Sequence, residues 1–351
     1  MHPFLIKDPL ITSEMLNLIA EIDEFKGAWL HLGRLRAERL QALRKVATIE
    51  SIGSSTRIEG AQLSDAQVEQ LLGQMDGGTF HTRDEQEVAG YADLCEQIYR
   101  HYNDMSLTEN IVKQLHSELL RLVEREDWHR GKYKNTPVRI EAFDAKGQSL
   151  GVVFETTSPL ETPFKMKDLL EWINEAFSDK QWHPLIIIGL FVCLFLAIHP
   201  FQDGNGRLSR LLTTLLLLKQ GYRYVPYTSL ESVIEVNKTE YYRALQKSQT
   251  SWQRGDSDWS PWLLFFLRCL QRQKQHLQVK LEKELLLDTT ISLLGRQILE
   301  LLNAHGNLKM SDLMRLTKAN RNTLKKTLAA LVKNGHVRLH GTGKGSYYGL
   351  N

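Results

Sequence analysis

Residues 199–210 read His-Pro-Phe-Gln-Asp-Gly-Asn-Gly-Arg-Leu-Ser-Arg. They follow fourteen apolar or glycine residues, Leu185 to Ile198, which have the character of a buried core helix. At about 20 residues a membrane span would be longer. Pro200 ends that helix, because proline lacks an N–H and disfavours helical geometry in its predecessor. A second apolar helix starts near Arg207. Between them, Gly204-Asn205-Gly206 lets the chain turn tightly and lets an anion come close to the backbone. The unpaired N–H groups of the new helix, with the positive end of its dipole, make a phosphate cradle. Arg207 and Arg210 share one face of the helix and suit a polyphosphate. Asp203 suits Mg²⁺ shared with phosphate oxygens and water. His199 is the group in the loop that titrates near neutrality, hence a candidate general base. Each feature alone has an ordinary structural explanation. Their joint order within twelve residues points to phosphoryl-group transfer.

Working outward, the chain is expected to be mainly α-helical. Apolar spacing predicts helix over 13–50, continuing to a stop at Gly60, and over 64–73, 84–103 and 108–123. Gly77-Gly78 lies in a predicted loop. Val138-Arg139-Ile140, a turn at 144–147 and Val152-Val153-Phe154 predict a short hairpin. Helices are expected again over 164–177, 185–198, 208–219 and 238–247, a polar loop over 252–260, and a long helix over 262–287. The last part changes rhythm: short helices over 291–303, 311–317 and 320–334, then small strands at 337–339 and 347–348 around a glycine-rich tip. That is the order of a winged helix-turn-helix. The expected division is therefore 1–105, 106–287 and 288–351.

The 351 residues carry a net charge of only +3, which excludes an overall polyanion binder. The charge is uneven: residues 285–351 hold ten Lys and Arg against three Asp and Glu. Cys95, Cys193 and Cys269 are odd in number and widely spaced, which suggests neither a disulfide framework nor a metal site. With no signal-peptide pattern at Met1–Leu10, a cytoplasmic, membrane-free location is expected.

The 199–210 segment resembles the Fic-domain signature, His-Pro-Phe-x-Asp/Glu-Gly-Asn-Gly-Arg-x-x-Arg, at every defined position. The resemblance covers roughly residues 5–285. It implies a helical domain with a β-hairpin flap that transfers AMP from ATP to a Ser, Thr or Tyr hydroxyl of a protein, with Mg²⁺. It implies that His199 deprotonates the acceptor, Asp203 holds the metal, and Gly204, Asn205 and Gly206 bind phosphates. Arg207 would support the β-phosphate and Arg210 the γ-phosphate, while Phe201 anchors the loop in the core. Gly206 stands where the Doc-like kinases carry Lys, which favours nucleotidyl over phosphoryl transfer; phosphocholine transfer, known in a divergent member, stays open.

Upstream, Ser55, Glu59 and Gly60 resemble the family's inhibitory motif, Ser/Thr-x-x-x-Glu-Gly/Asn. The resemblance implies that Glu59 pairs with Arg210 and denies it to the γ-phosphate. In some members this Glu also supports removal of AMP, so de-AMPylation stays open. The hairpin at 138–154 falls where the family docks its target protein, through an exposed strand edge. Tyr242, beside Tyr241, resembles the aromatic pair near the family's adenine pocket. A homodimer is expected. The C-terminal unit, with Arg315, Lys318, Arg321, Lys325, Lys326, Lys333, Arg338 and Lys344, has the charge for duplex DNA, though such units also dock proteins. The competing reading is a DNA-binding regulator whose Fic body senses nucleotide.

Overall fold

The computed structural model describes all residues except 1–7, 32–36, 76–78, 125–126, 144–148, 181, 291, 342 and 351. At its centre is the apolar run, buried from Leu185 to Ile198 within the helix Pro184–Ile198. A helix apolar on every side has to be surrounded, and each large side chain withdrawn from water contributes roughly 1.5–3 kcal/mol.

In chain order the helices of the first part are α1 (Ser13–His31), α2 (Ala37–Ile58), α3 (Asp65–Leu72), α4 (Arg83–His101) and α5 (Glu109–Leu119). Strands β1 (Arg139–Phe143) and β2 (Ser149–Glu155) follow, then α6 (Thr162–Asp179), α7 (Pro184–Ile198) and α8 (Asn205–Lys219). Next come α9 (Leu230–Val236), α10 (Lys238–Gln253) and the long α11 (Ser260–Thr290). The last part holds α12 (Leu293–His305), β3 (Leu308–Lys309), α13 (Met310–Thr317), α14 (Arg321–Lys333), β4 (Val337–His340) and β5 (Tyr347–Leu350).

The chain forms two compact units, Met1–Leu277 and Gln278–Asn351. In the first, α7 packs on α6, α8 and α10, while α8 is flanked by α2, α4 and α5. Two glycines permit close approaches between helices. A β-carbon at Gly189 of α7 would meet Leu263 Cδ2 at 2.8 Å, and Trp262 Nε1 donates to the Gly189 carbonyl at 2.7 Å. One at Gly90 of α4 would overlap the Leu119 carbonyl oxygen. The hairpin pairs β1 with β2 antiparallel, with irregular register; its tip, 144–148, lies outside the described residues.

In the second unit, Ile298, Leu302, Leu313, Leu324, Leu328, Leu331 and Val337 form the core. The three short strands make an antiparallel sheet ordered β3-β5-β4.

Some boundaries differ from expectation. Within the stretch 13–50, α1 is described to His31 and α2 from Ala37, with 32–36 outside the described residues. The helix expected over 108–123 stops at Leu119, where Leu120 leaves helical geometry. The loop expected from Trp252 starts later, as α10 runs to Gln253. The short α9 and the two-residue β3 had no periodic signal. Gly77-Gly78 lies outside the described residues.

Candidate active site

α7 ends on His199, which adopts left-handed geometry (φ 51°) while its N–H still bonds back to the Phe195 carbonyl at 2.8 Å. Non-glycine residues rarely take this conformation, so the loop's packing holds it there. The loop is closed on itself by Asn205. Its Nδ2 donates to the Phe201 carbonyl at 2.8 Å, and its Oδ1 accepts from the Phe201 N–H at 2.9 Å. Asn205 is buried, so what it has left for a phosphate is its backbone N–H. Phe201 is fully buried and stacks on His116, centroids 3.8 Å apart. Gly204 caps α8 with φ 75°, in the left-handed region that favours glycine. Leu208 is the first residue of α8 to bond back, to the Gly204 carbonyl. The N–H groups of Asn205, Gly206 and Arg207, at the first turn of α8, therefore lack helical i−4 partners.

His199 Nδ1 lies 3.3 Å from the Leu196 carbonyl. A carbonyl only accepts, so Nδ1 carries the proton and Nε2 keeps its lone pair. Burial, then the nearby Lys134 ammonium, lowers the His199 pKa to about 4. The imidazole is thus neutral at pH 7 and ready to accept a proton. Lys134 is itself buried. Its N–H donates to the Pro200 carbonyl at 2.9 Å, and its Nζ donates to the Ile198 carbonyl at 2.9 Å and to Thr156 Oγ1 at 2.7 Å. Burial lowers its pKa to about 8.

Asp203 is held from three sides. Its Oδ1 accepts from the Gly204 N–H at 2.6 Å. Its Oδ2 accepts from Arg83 at 2.7 Å and from Arg207 at 3.3 Å. Burial opposes its charge, but Arg207, the Gly204 N–H and Arg83 outweigh it and hold the carboxyl below its usual range. Arg207 also reaches Glu87 at 2.7 Å, and Arg83 reaches Glu87 at 2.9 Å. Two arginines and two carboxylates so form a closed ring. The Asp203 carbonyl accepts from His116 Nε2 at 3.0 Å, while His116 Nδ1 accepts the Gly131 N–H at 3.0 Å. Burial lowers the His116 pKa to about 4.

Arg210 is almost fully buried and bound to the end of α2. Its Nε donates to Ser55 Oγ at 2.8 Å, and its Nη2 donates to the Ser55 carbonyl at 2.9 Å and to Glu59 Oε1 at 2.8 Å. Its Nη1 has no hydrogen-bond partner among the described residues. Glu59 sits just past α2, and Gly60 ends the helix with φ 111°. The α2 terminus is anchored to the body: Arg57 bonds Glu235 of α9 at 2.7 Å and Asp65 of α3 at 2.8 Å. Glu59 also contacts α8, since a β-carbon at Gly206 would overlap its Oε1 and lie 2.8 Å from its Cδ.

The residues singled out from the sequence, His199, Asp203, Gly204, Asn205, Gly206, Arg207 and Arg210, therefore line one loop and helix start, with Ser55 and Glu59 packed against it. Tyr241 is buried against Trp262 (centroids 5.8 Å), whereas Tyr242 is partly open. Burial, with Glu59 nearby, raises the Tyr242 pKa. Sequence reading missed Arg83, Glu87, His116 and Lys134. His116 did leave a signal, as a polar residue between Val112, Leu115 and Leu119 on the apolar face of α5.

Could these residues take a nucleotide and Mg²⁺? The unpartnered Arg210 Nη1 and the three open N–H groups of α8 are donors without acceptors, which suits phosphate oxygens. Among the described residues no group of three His, Cys, Asp or Glu could cage a metal. A single carboxylate, Asp203, fits a cation that arrives with phosphate oxygens and water as its other ligands.

Comparison with known proteins agrees with this geometry. Residues 106–217 match the model of the Fic/DOC family. The protein adenylyltransferase Fic of Drosophila grimshawi is 25% identical over 263 residues, covering 72% of this chain and 47% of that protein. A Fic family protein from Desulfovibrio desulfuricans G20 superposes with a TM-score of 0.66 at 25% identity, covering 98% of both chains. A Fic domain containing signaling protein from Bacteroides thetaiotaomicron VPI-5482 gives 0.57 at 25% identity, over 75% of this chain and 94% of that one. The chain thus carries a Fic-type domain in a mainly helical fold. It spans less than half the length of the curated relatives it matches. Among the described residues, no helix is long and apolar enough to cross a membrane.

Proposed function

We propose that this chain is a protein adenylyltransferase held in check by Glu59. The observation that carries the reading is the convergence of a neutral His199, Asp203, the open N-terminus of α8 and an incompletely satisfied Arg210 on one pocket, with Glu59 seated among them.

In this reading ATP lies along the start of α8, its phosphates meeting the N–H groups of residues 205–207 and its γ-phosphate meeting Arg210. Asp203 would hold Mg²⁺, which would supply charge neutralisation for the phosphates. His199 Nε2 takes the proton from the acceptor hydroxyl. That oxygen bonds to the α-phosphorus as the bond to the β-phosphate bridging oxygen breaks, and pyrophosphate leaves. Arg207, braced by Glu87, keeps Asp203 in place and adds positive charge near the leaving group. Tyr242 is assigned to the adenine, and the 138–154 hairpin to the target segment, by strand addition. With Glu59 on Arg210, the γ-phosphate is excluded.

The second unit is read as a winged helix-turn-helix, supported by its three helices and its sheet order β3-β5-β4. The rival reading, a regulator with an inert nucleotide-sensing body, does not need a neutral histidine aimed beside a carboxylate. The deciding experiment incubates the chain and its Glu59→Gly variant with ATP labelled at the α- or the γ-phosphate. Retained α-label, absent in His199→Ala, is the expected result. Retained γ-label alone would mean a kinase, and no label from either would remove the catalytic reading.

A further inference from the structure

α14 reads Arg-Asn-Thr-Leu-Lys-Lys-Thr-Leu-Ala-Ala-Leu-Val-Lys and holds no acidic residue. Leu324, Leu328 and Leu331 are buried, which fixes the opposite face outward. Arg321, Lys325, Ala329 and Lys333 follow one another at four-residue steps, and Asn322, Lys326 and Ala330 form the neighbouring row. All seven are exposed. Among the described residues, no ion pair joins an acid to Arg321, Lys325, Lys326 or Lys333, nor to Lys318 before the helix or Arg338 on β4. By contrast, Arg315 on α13 has Asp312 at 3.6 Å.

Arg321 and Lys325 are like charges four residues apart, which weakens a helix, and an anion laid against them relieves this; Lys326 and Lys333 add positive charge on the same exposed side. The shape of the face narrows the choice. Its middle is Ala329 and Ala330, which let the helix backbone come close to whatever it meets. A helix of this length spans about 20 Å and is about 10–12 Å across, matching the roughly 12 Å major groove of B-DNA. A protein partner would call for a large apolar centre ringed by polar groups, and the two rows have none.

We propose that the second unit binds duplex DNA with α14 in the major groove, Arg321, Asn322 and Lys325 facing base edges and Lys326, Lys333 and Arg338 meeting phosphates. Arg and Asn carry the side-chain geometry for guanine and adenine edges respectively. Asn320 is not among the readers, because its Oδ1 is used by the Thr323 N–H at 2.9 Å as the helix cap. This binding is independent of AMP transfer, so either reading survives failure of the other.

The test is fluorescence anisotropy of the intact chain with a labelled duplex of about 24 base pairs, from about 50 to about 200 mM salt. Three phosphate contacts predict a slope of log affinity against log salt of roughly −3. The Lys326→Ala/Lys333→Ala chain should lose about two from that slope. Lys167→Ala/Lys247→Ala, with the same charge removed from the first unit, should keep it. All four substituted residues are exposed. The proposal is overturned by absence of duplex binding at low salt, by a slope unchanged in Lys326→Ala/Lys333→Ala, or by an acidic polypeptide binding this face where duplex does not.

Discussion

The carboxylate of Glu59 rests on the Cα of Gly206, in space that a β-carbon there would fill. One acidic side chain therefore does two things: it takes Arg210 at 2.8 Å, and it covers the open N-terminus of α8. On the proposed reading, glycine at 206 would serve the inhibited state as well as a bound phosphate.

Glu59→Gly is expected to tighten ATP binding by about thirtyfold. Breaking a buried pair costs roughly 3–5 kcal/mol. Glu59 is 32% exposed and Arg210 only 4%, so about 2 kcal/mol is a fitting figure, and about 1.4 kcal/mol is tenfold. Calorimetric titration with a non-hydrolysable ATP analogue reads this directly. Equal affinities in the two proteins would exclude a brake at this residue.

Asn205→Ala should behave first as a stability variant. It strands the buried N–H and carbonyl of Phe201, at about 1–3 kcal/mol each. For a unit of this size the melting temperature should fall by roughly 5–10 °C. If the variant melts with the wild type yet loses nucleotide, the side chain acts on phosphate and the loop latch is misassigned.

Arg83→Ala should strengthen divalent cation binding. Arg83 Nη2 now sits 2.7 Å from Asp203 Oδ2, the oxygen a cation would use. Mn²⁺ titration followed by electron paramagnetic resonance, with the non-hydrolysable analogue bound in the Glu59→Gly background, should show several-fold tighter binding. Asp203→Asn should abolish it. Weaker Mn²⁺ binding in Arg83→Ala would mean that the arginine supports the cation site instead of competing for it.

Stability should fall on acidification partly through His116. Its folded pKa of about 4 lies below the ordinary histidine value of 6.5, so the unfolded chain binds more protons between these values. Stability contributed by the neutral ring is complete above about pH 6.5 and is lost as pH falls towards 4. Between pH 7.5 and 5 this amounts to about 2 kcal/mol. Urea unfolding of His116→Gln at both pH values should show a loss smaller by that amount. An identical loss in both proteins would place the acid sensitivity elsewhere.

Much of the fold could be read from periodicity. α7 and α8 were visible because an unbroken apolar run and an interruption at Pro200 and Gly204-Asn205-Gly206 leave few alternatives. The loop chemistry was visible because its groups are neighbours in sequence. Arg83, Glu87 and Lys134 were not, since a charged residue in an amphipathic segment looks solvated until a distant element packs over it. Glu87 looks like half of an ordinary surface pair with Arg83, and only the approach of α8 brings Arg207 to it.

Lys134 has one more consequence. Its ammonium bridges Thr156, whose hydroxyl donates to the Val138 carbonyl at 2.7 Å, and the Ile198 carbonyl just before the imidazole. The root of the hairpin and the root of the 199–210 loop are thus joined through this nitrogen, beside the Thr157 N–H to Ala197 carbonyl bond. On the proposed reading, a guest strand that shifts the hairpin would tug the peptide adjoining His199, so that recognition of the recipient and alignment of the proton acceptor would become one mechanical event.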